Sequence, residues 1–283
     1  MTYRQMLEEG KQLLGQANVP DADLDARLLL ENVCDTGLND LICHGDQTLT
    51  AEQIIEYRQL ISKRAGRIPL QHLTGEQYFC GYPFYVDENV LIPRQDTELL
   101  VEEAMNRAKE GAKILDLCTG SGCVLISLLL MRKDCQGIGT DLSAKALTVA
   151  QKNKERLLTG ENTRCAFLSG DLFAALAAKT EKFDMIVSNP PYIKSAEIEG
   201  LMPEVRDHEP KMALDGDTDG LIFYRRIAEN AGTYLNDGGY LLLEIGFDQR
   251  EDVMTILQNY GFQDVECKKD YAGHDRVVIG RME

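Results

Sequence analysis

The first 74 residues carry apolar side chains at the spacing of amphipathic helices. Apolar positions recur at intervals of three and four residues, as between Ile54 and Ile61, and do not alternate. Thr50 begins a T-x-x-Q sequence that resembles a capping box, a pattern typical of a helix start. No constellation of catalytic side chains stands out in this part. We therefore predict that residues 1–74 form a small N-terminal helical-bundle domain.

Residues 75–93 change to short runs rich in aromatic residues and valine. Tyr78-Phe79 and Phe84-Tyr85-Val86 flank a turn that contains Gly81 and Pro83. Such runs on both sides of a Gly/Pro turn are typical of a β-hairpin. We predict a β-hairpin linker over residues 75–93.

From residue 94 to the end, short apolar runs alternate with segments of helical periodicity. Strands are predicted at Lys113–Leu117, Gly137–Thr140, Arg164–Leu168, Phe183–Val187, Tyr240–Ile245, Val265–Lys268 and Arg276–Ile279. Helices are predicted at Gly122–Met131, Ser143–Leu158, Leu221–Leu235 and Asp248–Tyr260. This alternation predicts an α/β domain over residues 94–283, a Rossmann-like, doubly wound and largely parallel sheet of seven strands. The last two strands have no helix between them, so one of them is expected to run antiparallel.

The net charge of the chain indicates which classes of binding partner to expect. The net charge is −16 and the pI is about 4.7. Extended binding to nucleic acid needs clustered Lys and Arg, because neutralisation of phosphates supplies most of the affinity. No such cluster is evident, so we expect no stable nucleic-acid binding and favour a small substrate or a basic partner.

Cysteine spacing and hydropathy indicate the cellular compartment in which the protein is expected. The eight cysteines include no C-x-x-C pair, and no histidine stands at zinc-finger distance from one of them. We therefore expect reduced thiols in the core and no metal. No apolar run approaches the roughly 20 residues that span a bilayer, and the N-terminus does not resemble a secretory signal. A cytoplasmic location without membrane contact is expected.

A glycine-containing turn follows the first strand of the large domain. It reads Cys118, Thr119, Gly120, Ser121, Gly122. Asp141 and Leu142 follow the next strand, and an acidic residue at that place hydrogen-bonds a ribose in dinucleotide folds. The G-x-G-x-x-G spacing that cradles a pyrophosphate is absent, which makes NAD less fitting than a cofactor with a ribose but no phosphate. S-adenosyl-L-methionine meets that description.

A second acidic loop follows the third strand. Asp171 stands there, followed by Leu172, and its carboxylate is placed to accept a hydrogen bond from the adenine amino group of a bound cofactor. An equally good interpretation makes Asp171 the N-cap of a helix over Leu172–Lys179. Both can hold, and we include Asp171 and Leu172 in the predicted cofactor site.

The sharpest motif follows the fourth strand directly. It is Asn189, Pro190, Pro191, Tyr192. An amide or exocyclic amine nitrogen is a poor nucleophile because its lone pair is delocalised. The Asn189 side-chain oxygen and the Pro190 carbonyl can accept both N–H groups of such a nitrogen, while the Tyr192 ring covers the planar group. We predict that these four residues form the catalytic site and that Asn189 also borders the cofactor.

The N-P-P-Y motif resembles that of the amino-group methyltransferases, and three further stretches narrow the resemblance to the HemK/PrmC family of release factor glutamine methyltransferases. These stretches are Leu91–Glu98, similar to I-P-R-x-[DE]-T-E; Glu204–Gly216, similar to E-V-x-x-x-E-P-x-x-A-L-x-G; and its continuation Asp219-Gly220-Leu221. Together with the helical N-terminal domain, the resemblance covers essentially the whole chain.

The resemblance implies a class I methyltransferase domain with an N-terminal domain that recognises the substrate. The methyl donor would be S-adenosyl-L-methionine, leaving S-adenosyl-L-homocysteine. The acceptor would be N5 of the glutamine in the Gly-Gly-Gln motif of class I peptide chain release factors, and the enzyme would act as a monomer. Arg94 and Glu98 are candidates for substrate binding, although they could equally lock the hairpin to the large domain.

One position departs from the family pattern. The family usually has G-x-G-x-G at the cofactor turn, and Cys118 stands at the first glycine. A side chain there brings bulk next to the cofactor. Because cysteine is small, we expect it to be tolerated with some effect on affinity.

Two other functions compete with this interpretation. A nucleic-acid adenine or guanine amino-methyltransferase would use the same motif on a flipped base, but the net charge and the lack of a basic target-recognition domain disfavour it. A cofactor-binding module without catalysis is disfavoured by the intact N-P-P-Y sequence. The acidic segment Ala196–Gly220 is either a solvated loop or a negative rim that receives a basic substrate loop.

Overall fold

The computed structural model describes residues 1–160, 162–176 and 181–283. Its helices are α1 (Tyr3–Gln16), α2 (Ala22–Cys34), α3 (Leu38–Cys43), α4 (Ala51–Ala65), α5 (Leu70–Thr74), α6 (Glu98–Arg107), α7 (Cys123–Met131), α8 (Ala144–Leu157), α9 (Pro203–Arg206), α10 (Ile222–Tyr234) and α11 (Arg250–Asn259). Its strands are β1 (Glu76–Phe79), β2 (Tyr82–Tyr85), β3 (Lys113–Leu117), β4 (Gln136–Asp141), β5 (Cys165–Ser169), β6 (Phe183–Ser188), β7 (Leu235–Glu244), β8 (Gln263–Lys269) and β9 (Asp275–Arg281).

The chain divides into two compact units. The smaller unit contains Met1–Glu76 together with Met202–His208, and the larger one contains Gln77–Leu201 and Glu209–Glu283. The segment that follows the N-P-P-Y motif therefore leaves the larger unit for seven residues and returns to it. None of the described helices has the length and apolarity required to cross a membrane.

The smaller unit is helical, as predicted, and has its own apolar core around Met6, Leu30 and Tyr57. The capping box at Thr50 is present, because its hydroxyl accepts from the Gln53 N–H and the Gln53 side chain accepts from the Thr50 N–H. Thr2 forms a second capping box that the sequence interpretation did not include.

A buried ion-pair network ties residues 202–208 into the smaller unit. The Arg64 guanidinium of α4 lies 2.6 Å from Asp25 of α2 and 3.0 Å from Glu204 of α9. Arg67 bonds the other oxygen of Glu204 at 2.7 Å. Removing one member of such a network leaves a buried charge without its partner, at a cost of about 3–5 kcal/mol.

The larger unit is built on the predicted sheet. Its seven strands lie in the order β5-β4-β3-β6-β7-β9-β8. β3 pairs in parallel with β4 and β6, and β4–β5 and β6–β7 are also parallel. The last strand, β9, lies between β7 and β8 and is antiparallel to both, which confirms the expected reversal. The strand order reverses direction between β3 and β6, and ligands of such sheets bind beyond the carboxyl ends of the strands at that point.

Several elements differ from the sequence prediction. Helix α6 was not predicted, although Leu100, Val101 and Ala104 on it are buried. Strand β7 begins at Leu235, five residues before its predicted start, because Leu235 pairs with Phe183 across a register shift. The predicted helix after Asp171 is a 3₁₀ helix over Leu172–Leu176, and the rest of its predicted range lies outside the described residues.

The hairpin β1–β2 forms as predicted and packs into the core of the larger unit. Phe79 and Phe84 are almost fully buried there, with their rings edge to face at 6.0 Å. These two rings are part of the apolar core of the larger unit. The hairpin therefore contributes to that core in addition to linking two parts of the chain.

Candidate active site

A cavity of about 600 Å³ lies in the larger unit at the switch point of the sheet. It is lined by the turn after β3, the start of the segment after β4, the loop after β6 and the segment that precedes α6. Its size falls in the range of pockets that enclose most of a small ligand. The predicted cofactor and catalytic motifs thus meet at one site.

The turn after β3 is bonded largely to itself and to β4. The Gly120 N–H donates to Asp141 Oδ2 at 2.9 Å, and the Gly122 N–H donates to the Thr119 carbonyl at 2.8 Å. The Thr119 N–H donates to the Thr140 carbonyl at 3.0 Å. These N–H groups are not free to hold a phosphate, and Asp141 adds negative charge beside them. The turn therefore fits a phosphate-free cofactor.

Two features of the turn suit a ribose-containing nucleoside. A side chain at Gly120 would meet no atom within 4 Å, so the cavity reaches its backbone. The Asp141 carboxylate is held by the Gly120 and Ser143 N–H groups, and its remaining lone pairs can accept from ribose hydroxyls. Leu142 lines the cavity with 61% of its surface exposed, which leaves an apolar face for a base.

Cys118 adopts a left-handed backbone conformation, with φ of 57°. This region favours glycine because a Cβ crowds the following carbonyl. The backbone explains why a glycine would be expected here, and Cys118 keeps the same turn with a side chain attached. Ser121, Thr119 and Cys118 all line the cavity.

Asp171 lies in the cavity wall and forms an ion pair with Arg226. The Arg226 guanidinium lies 2.6 Å from Asp171 Oδ2, and both residues line the cavity. The neighbouring Leu172 has a positive φ of 50° and is buried in the same wall. The side chain of Asp171 is thus held by α10, and the sequence had given no sign of this partner.

Asp116 is a cavity residue that the sequence interpretation missed. It lies inside β3 with 1% of its surface exposed, and the Thr119 hydroxyl donates to it at 2.5 Å. Burial raises the pKa of Asp116 to about 7, against the Thr119 hydrogen bond, which lowers it. The available signal was an acidic residue within an apolar strand, since an unpaired acid is rarely fully buried.

The N-P-P-Y loop follows β6 and is positioned by residues far away in sequence. Asn189 and Pro191 line the cavity, whereas Pro190 is buried and is not one of its lining residues. The Asn189 Nδ2 group donates to Thr97 Oγ1 at 3.2 Å. The Tyr192 hydroxyl lies 3.4 Å from Glu244 Oε1, and Tyr192 is not among the lining residues. The Tyr192 hydroxyl is thus bonded to Glu244 in this conformation, and the role of its ring in covering the planar group that is methylated stays a prediction.

Gln249 holds the backbone of the same loop and was also missed. Its Nε2 group donates to the carbonyls of Tyr192 at 3.0 Å and Gly220 at 3.2 Å. Its Oε1 atom accepts from the Gly246 N–H at 2.9 Å and lies 3.1 Å from the Tyr224 hydroxyl. A buried amide with every group bonded fixes the four segments that it joins.

Glu244 is a buried carboxyl group beneath the loop, at the carboxyl end of β7. It is 2% exposed, and its Oε2 atom has no hydrogen-bond partner among the described residues. Burial raises the pKa of Glu244 to about 7, while the Thr97 hydroxyl and the Arg276 guanidinium act to lower it. Burial and the nearby Glu244 also raise the pKa of Tyr192, so this phenol stays protonated near neutral pH.

Arg94 and Glu98 take different places. Arg94 lines the cavity and pairs with Glu209, whose side chain is buried. Glu98 does not line the cavity, because its carboxylate accepts from the Cys80 N–H at 2.7 Å and so holds the hairpin turn. Of the two predicted substrate contacts, the geometry gives Arg94 a place at the site and Glu98 the alternative, locking role.

The acidic segment is not a continuous rim. Glu204 is buried in the smaller unit and Glu209 in the larger one, each paired with arginine. Asp215 and Asp217 line the cavity. Only part of the predicted negative surface is therefore available to a basic ligand.

Two family models match the chain. The model described as the PrmC N-terminal domain matches residues 5–75, and the model described as the methyltransferase small domain matches residues 94–204. Among solved structures, a methyltransferase from Pyrococcus furiosus superposes with a TM-score of 0.54 at 20% identity, covering 78% of this chain and 98% of that one. A 16S rRNA methyltransferase from T. thermophilus, in complex with AdoMet and guanosine, gives a TM-score of 0.52 at 19% identity, with 74% and 50% covered. These two likenesses show the fold alone.

Sequence relatives are much closer. A Geobacter sulfurreducens protein named release factor glutamine methyltransferase is 42% identical over 281 residues, which cover 99% of this chain and 97% of that one. A Caulobacter vibrioides protein of the same name is 39% identical over 272 residues, with 95% and 93% covered. Such identity over nearly the full length shows that the chain is a methyltransferase of the release factor glutamine methyltransferase family, the HemK/PrmC family that its motifs predicted.

Proposed function

We propose that this enzyme transfers a methyl group from S-adenosyl-L-methionine to N5 of the glutamine in the Gly-Gly-Gln motif of class I peptide chain release factors. One observation carries the proposal: Asn189 borders the cavity next to the cofactor turn, with its Nδ2 group already bonded to Thr97. Its Oδ1 atom is left to accept from a substrate N–H. The names of the relatives support a glutamine amide as that substrate.

The residues of the turn would bind the cofactor. We assign the ribose hydroxyls to Asp141, the close backbone contact to Gly120 and the apolar contact with adenine to Leu142. Asp171, held by Arg226, would border the adenine amino group. When bound, S-adenosyl-L-methionine supplies a methyl group on a sulfonium cation, and S-adenosyl-L-homocysteine is the product.

The N-P-P-Y loop would bind and orient the substrate amide. Asn189 Oδ1 and the Pro190 carbonyl accept its two N–H groups, which turns the nitrogen lone pair away from both acceptors. Pro190 and Pro191 fix φ and add no competing N–H donors. Orientation of this kind can lower a barrier by about 7–11 kcal/mol. Since the methyl group is carried by a cation, no strong base has to remove a proton beforehand.

The smaller, helical unit would recognise a second region of the release factor, because a three-residue loop offers little area for specificity. Helix α3 exposes Leu38 and Ile42, one turn apart, at 45% and 68% of their surface. Replacing both by serine should raise KM for the whole factor and leave KM for a Gly-Gly-Gln loop peptide unchanged. An equal change for both substrates would remove this part of the proposal.

The decisive experiment measures methyl transfer from radiolabelled S-adenosyl-L-methionine. Purified release factor, its loop Gln→Ala variant, DNA and RNA are offered in parallel. Label on the wild-type factor alone is the expected result. Label on nucleic acid without label on the factor would instead establish the alternative, an adenine or guanine amino-methyltransferase. A monomer in the cytoplasm that forms no stable nucleic-acid complex completes the proposal.

A further inference from the structure

The end of the E-V-x-x-x-E-P-x-x-A-L-x-G stretch pairs in parallel with the chain just after the N-P-P-Y motif. The Ile193 N–H donates to the Leu214 carbonyl at 3.0 Å, and the Ile193 carbonyl accepts from the Gly216 N–H at 2.8 Å. The Ser195 N–H donates to the Asp217 carbonyl at 3.0 Å. The backbone that leaves the catalytic motif is therefore bonded to a later segment of the same unit.

Gly216 brings two backbones of this site into direct contact. A Cβ placed on Gly216 would lie 2.8 Å from Tyr192 Cα and 2.9 Å from Gly220 Cα. Both neighbours are main-chain atoms, so no side chain could turn away to make room. The φ of Gly216 is not positive, so the constraint is one of space. Since two carbon atoms pack at about 3.5–4.0 Å, a side chain here would force the backbones apart by roughly 1 Å.

A displacement of Tyr192 would reach the catalytic Asn189. The two residues are separated only by Pro190 and Pro191, whose rings fix φ. A residue that precedes a proline is also restricted in its backbone conformation. Few torsions are thus free to absorb a movement, and both acceptors of the substrate amide, Asn189 Oδ1 and the Pro190 carbonyl, would move with Tyr192. A misplacement of about 1 Å can cost about 10²-fold in rate.

We propose that Gly216 is a positioning residue. Because it has no side chain, its segment packs directly against Tyr192 and fixes the place of the two acceptors in the N-P-P-Y loop. Its neighbours Asp215 and Asp217 line the same cavity as Asn189, so this segment is a wall of the site. The inference rests on the proposed function, because it takes the N-P-P-Y loop as the part that binds the substrate amide.

Kinetics of two glycine variants test the role. Gly216→Ala should lower kcat for the release factor by between about tenfold and 10²-fold, with KM for S-adenosyl-L-methionine and affinity for S-adenosyl-L-homocysteine within about twofold of wild type. Gly200→Ala is the matched control, because Gly200 is exposed and a Cβ there would meet no atom within 4 Å. It should match wild type in all three quantities.

The kcat is expressed per S-adenosyl-L-homocysteine-binding site, counted by calorimetry, so that a loss of folded protein does not lower it. A merely structural glycine would reduce the melting temperature and the number of binding sites of Gly216→Ala and leave kcat per site unchanged. That outcome would overturn the proposal.

Amide hydrogen exchange followed by NMR tests the same contact without a substrate. In wild type, the Ile193 and Ser195 N–H groups should exchange at least about 100-fold more slowly than in an unfolded chain. Exchange at the unfolded rate would overturn the proposal even if Gly216→Ala does not fold. In Gly216→Ala both groups should exchange at least about tenfold faster than in wild type, whereas Gly200→Ala should leave them unchanged.

The two measurements separate failure of this inference from failure of the proposed function. Equal exchange rates in Gly216→Ala and wild type would refute the role of Gly216 whatever the enzyme methylates. Faster exchange in Gly216→Ala, together with an absence of label on the release factor from wild type, would refute only the proposed substrate.

Discussion

The turn after β3 and the loop after β6 lie at the same edge of the sheet but are held in place by different parts of the chain. Gly120 and Gly122 in the turn are bonded within it or to the end of the adjacent strand β4. The N-P-P-Y loop is held by Thr97, Glu244 and Gln249, which lie 92, 52 and 57 residues from their partners. The cofactor region is thus local backbone structure, while the catalytic region is assembled from distant side chains.

The largest effect should come from the catalytic loop. Asn189→Ala removes the proposed acceptor of the substrate amide and should lower kcat by about 10²–10³-fold, as loss of one preorganised polar group in an active site does. Affinity for S-adenosyl-L-homocysteine should change little, because the turn after β3 does not depend on this side chain. Asn259→Ala, at an exposed position on α11, serves as the control. A loss of cofactor affinity as large as the loss of kcat would mean that the two regions are not independent.

Substitution of Gln249, which holds the backbone of the N-P-P-Y loop, should have the next largest effect. Gln249→Met leaves the carbonyls of Tyr192 and Gly220 without their buried donor. Each buried group without a partner costs about 1–3 kcal/mol, so we expect unfolding free energy to fall by about 3 kcal/mol and kcat to fall with it. Gln258→Met, at an exposed position of α11, the helix that begins directly after Gln249, should do neither. Denaturant titrations of the two variants provide the comparison, and an unchanged Gln249→Met midpoint would contradict it.

This difference explains what could be predicted from the sequence. The turn with Asp141, the positions of the strands along the chain and the position of Asn189 follow from local pattern, because each lies within or directly after a periodic element. Thr97 and Gln249 sit in no pattern that indicates their partners, since those contacts exist only once β6, β7 and α6 are adjacent. Glu98 is a further contact that the local sequence does not reveal. It lies in a family motif, but its contact with the Cys80 N–H depends on how the hairpin packs.

A smaller effect concerns the pH dependence of stability through Glu244. Burial raises its pKa from 4.5 to about 7 in the folded protein. Between these values the folded state binds more protons than the unfolded state, so the contribution of Glu244 to stability falls as pH rises from 4.5 to 7 and is constant above. Glu244→Gln does not titrate. The free energy of unfolding of this variant, relative to that of wild type, should therefore be about 2 kcal/mol higher at pH 8 than at pH 5.

Unfolding free energies at the two pH values test this, with Glu251→Gln as the control because its side chain is 87% exposed. If Glu244→Gln changes the free energy of unfolding by the same amount at pH 5 and pH 8, the Glu244 carboxyl group does not titrate between these two pH values in the folded protein.

The smallest effect belongs to the self-contained turn. Cys118 has a φ of 57°, where an L-residue costs about 1 kcal/mol relative to glycine, and a glycine gives back part of this through the entropy of the unfolded chain. Cys118→Gly should therefore differ little from wild type in stability. Cys118→Ala should be less stable than Cys118→Gly by about 1 kcal/mol, because alanine keeps the Cβ and loses the partly buried sulfur. Cofactor affinity of all three, by calorimetry with S-adenosyl-L-homocysteine, should agree within about threefold, since the turn keeps its own bonds. A tenfold higher affinity of Cys118→Gly would show that the Cys118 side chain crowds the cofactor. Cofactor binding by the turn after β3 would then depend on a side chain as well as on the backbone.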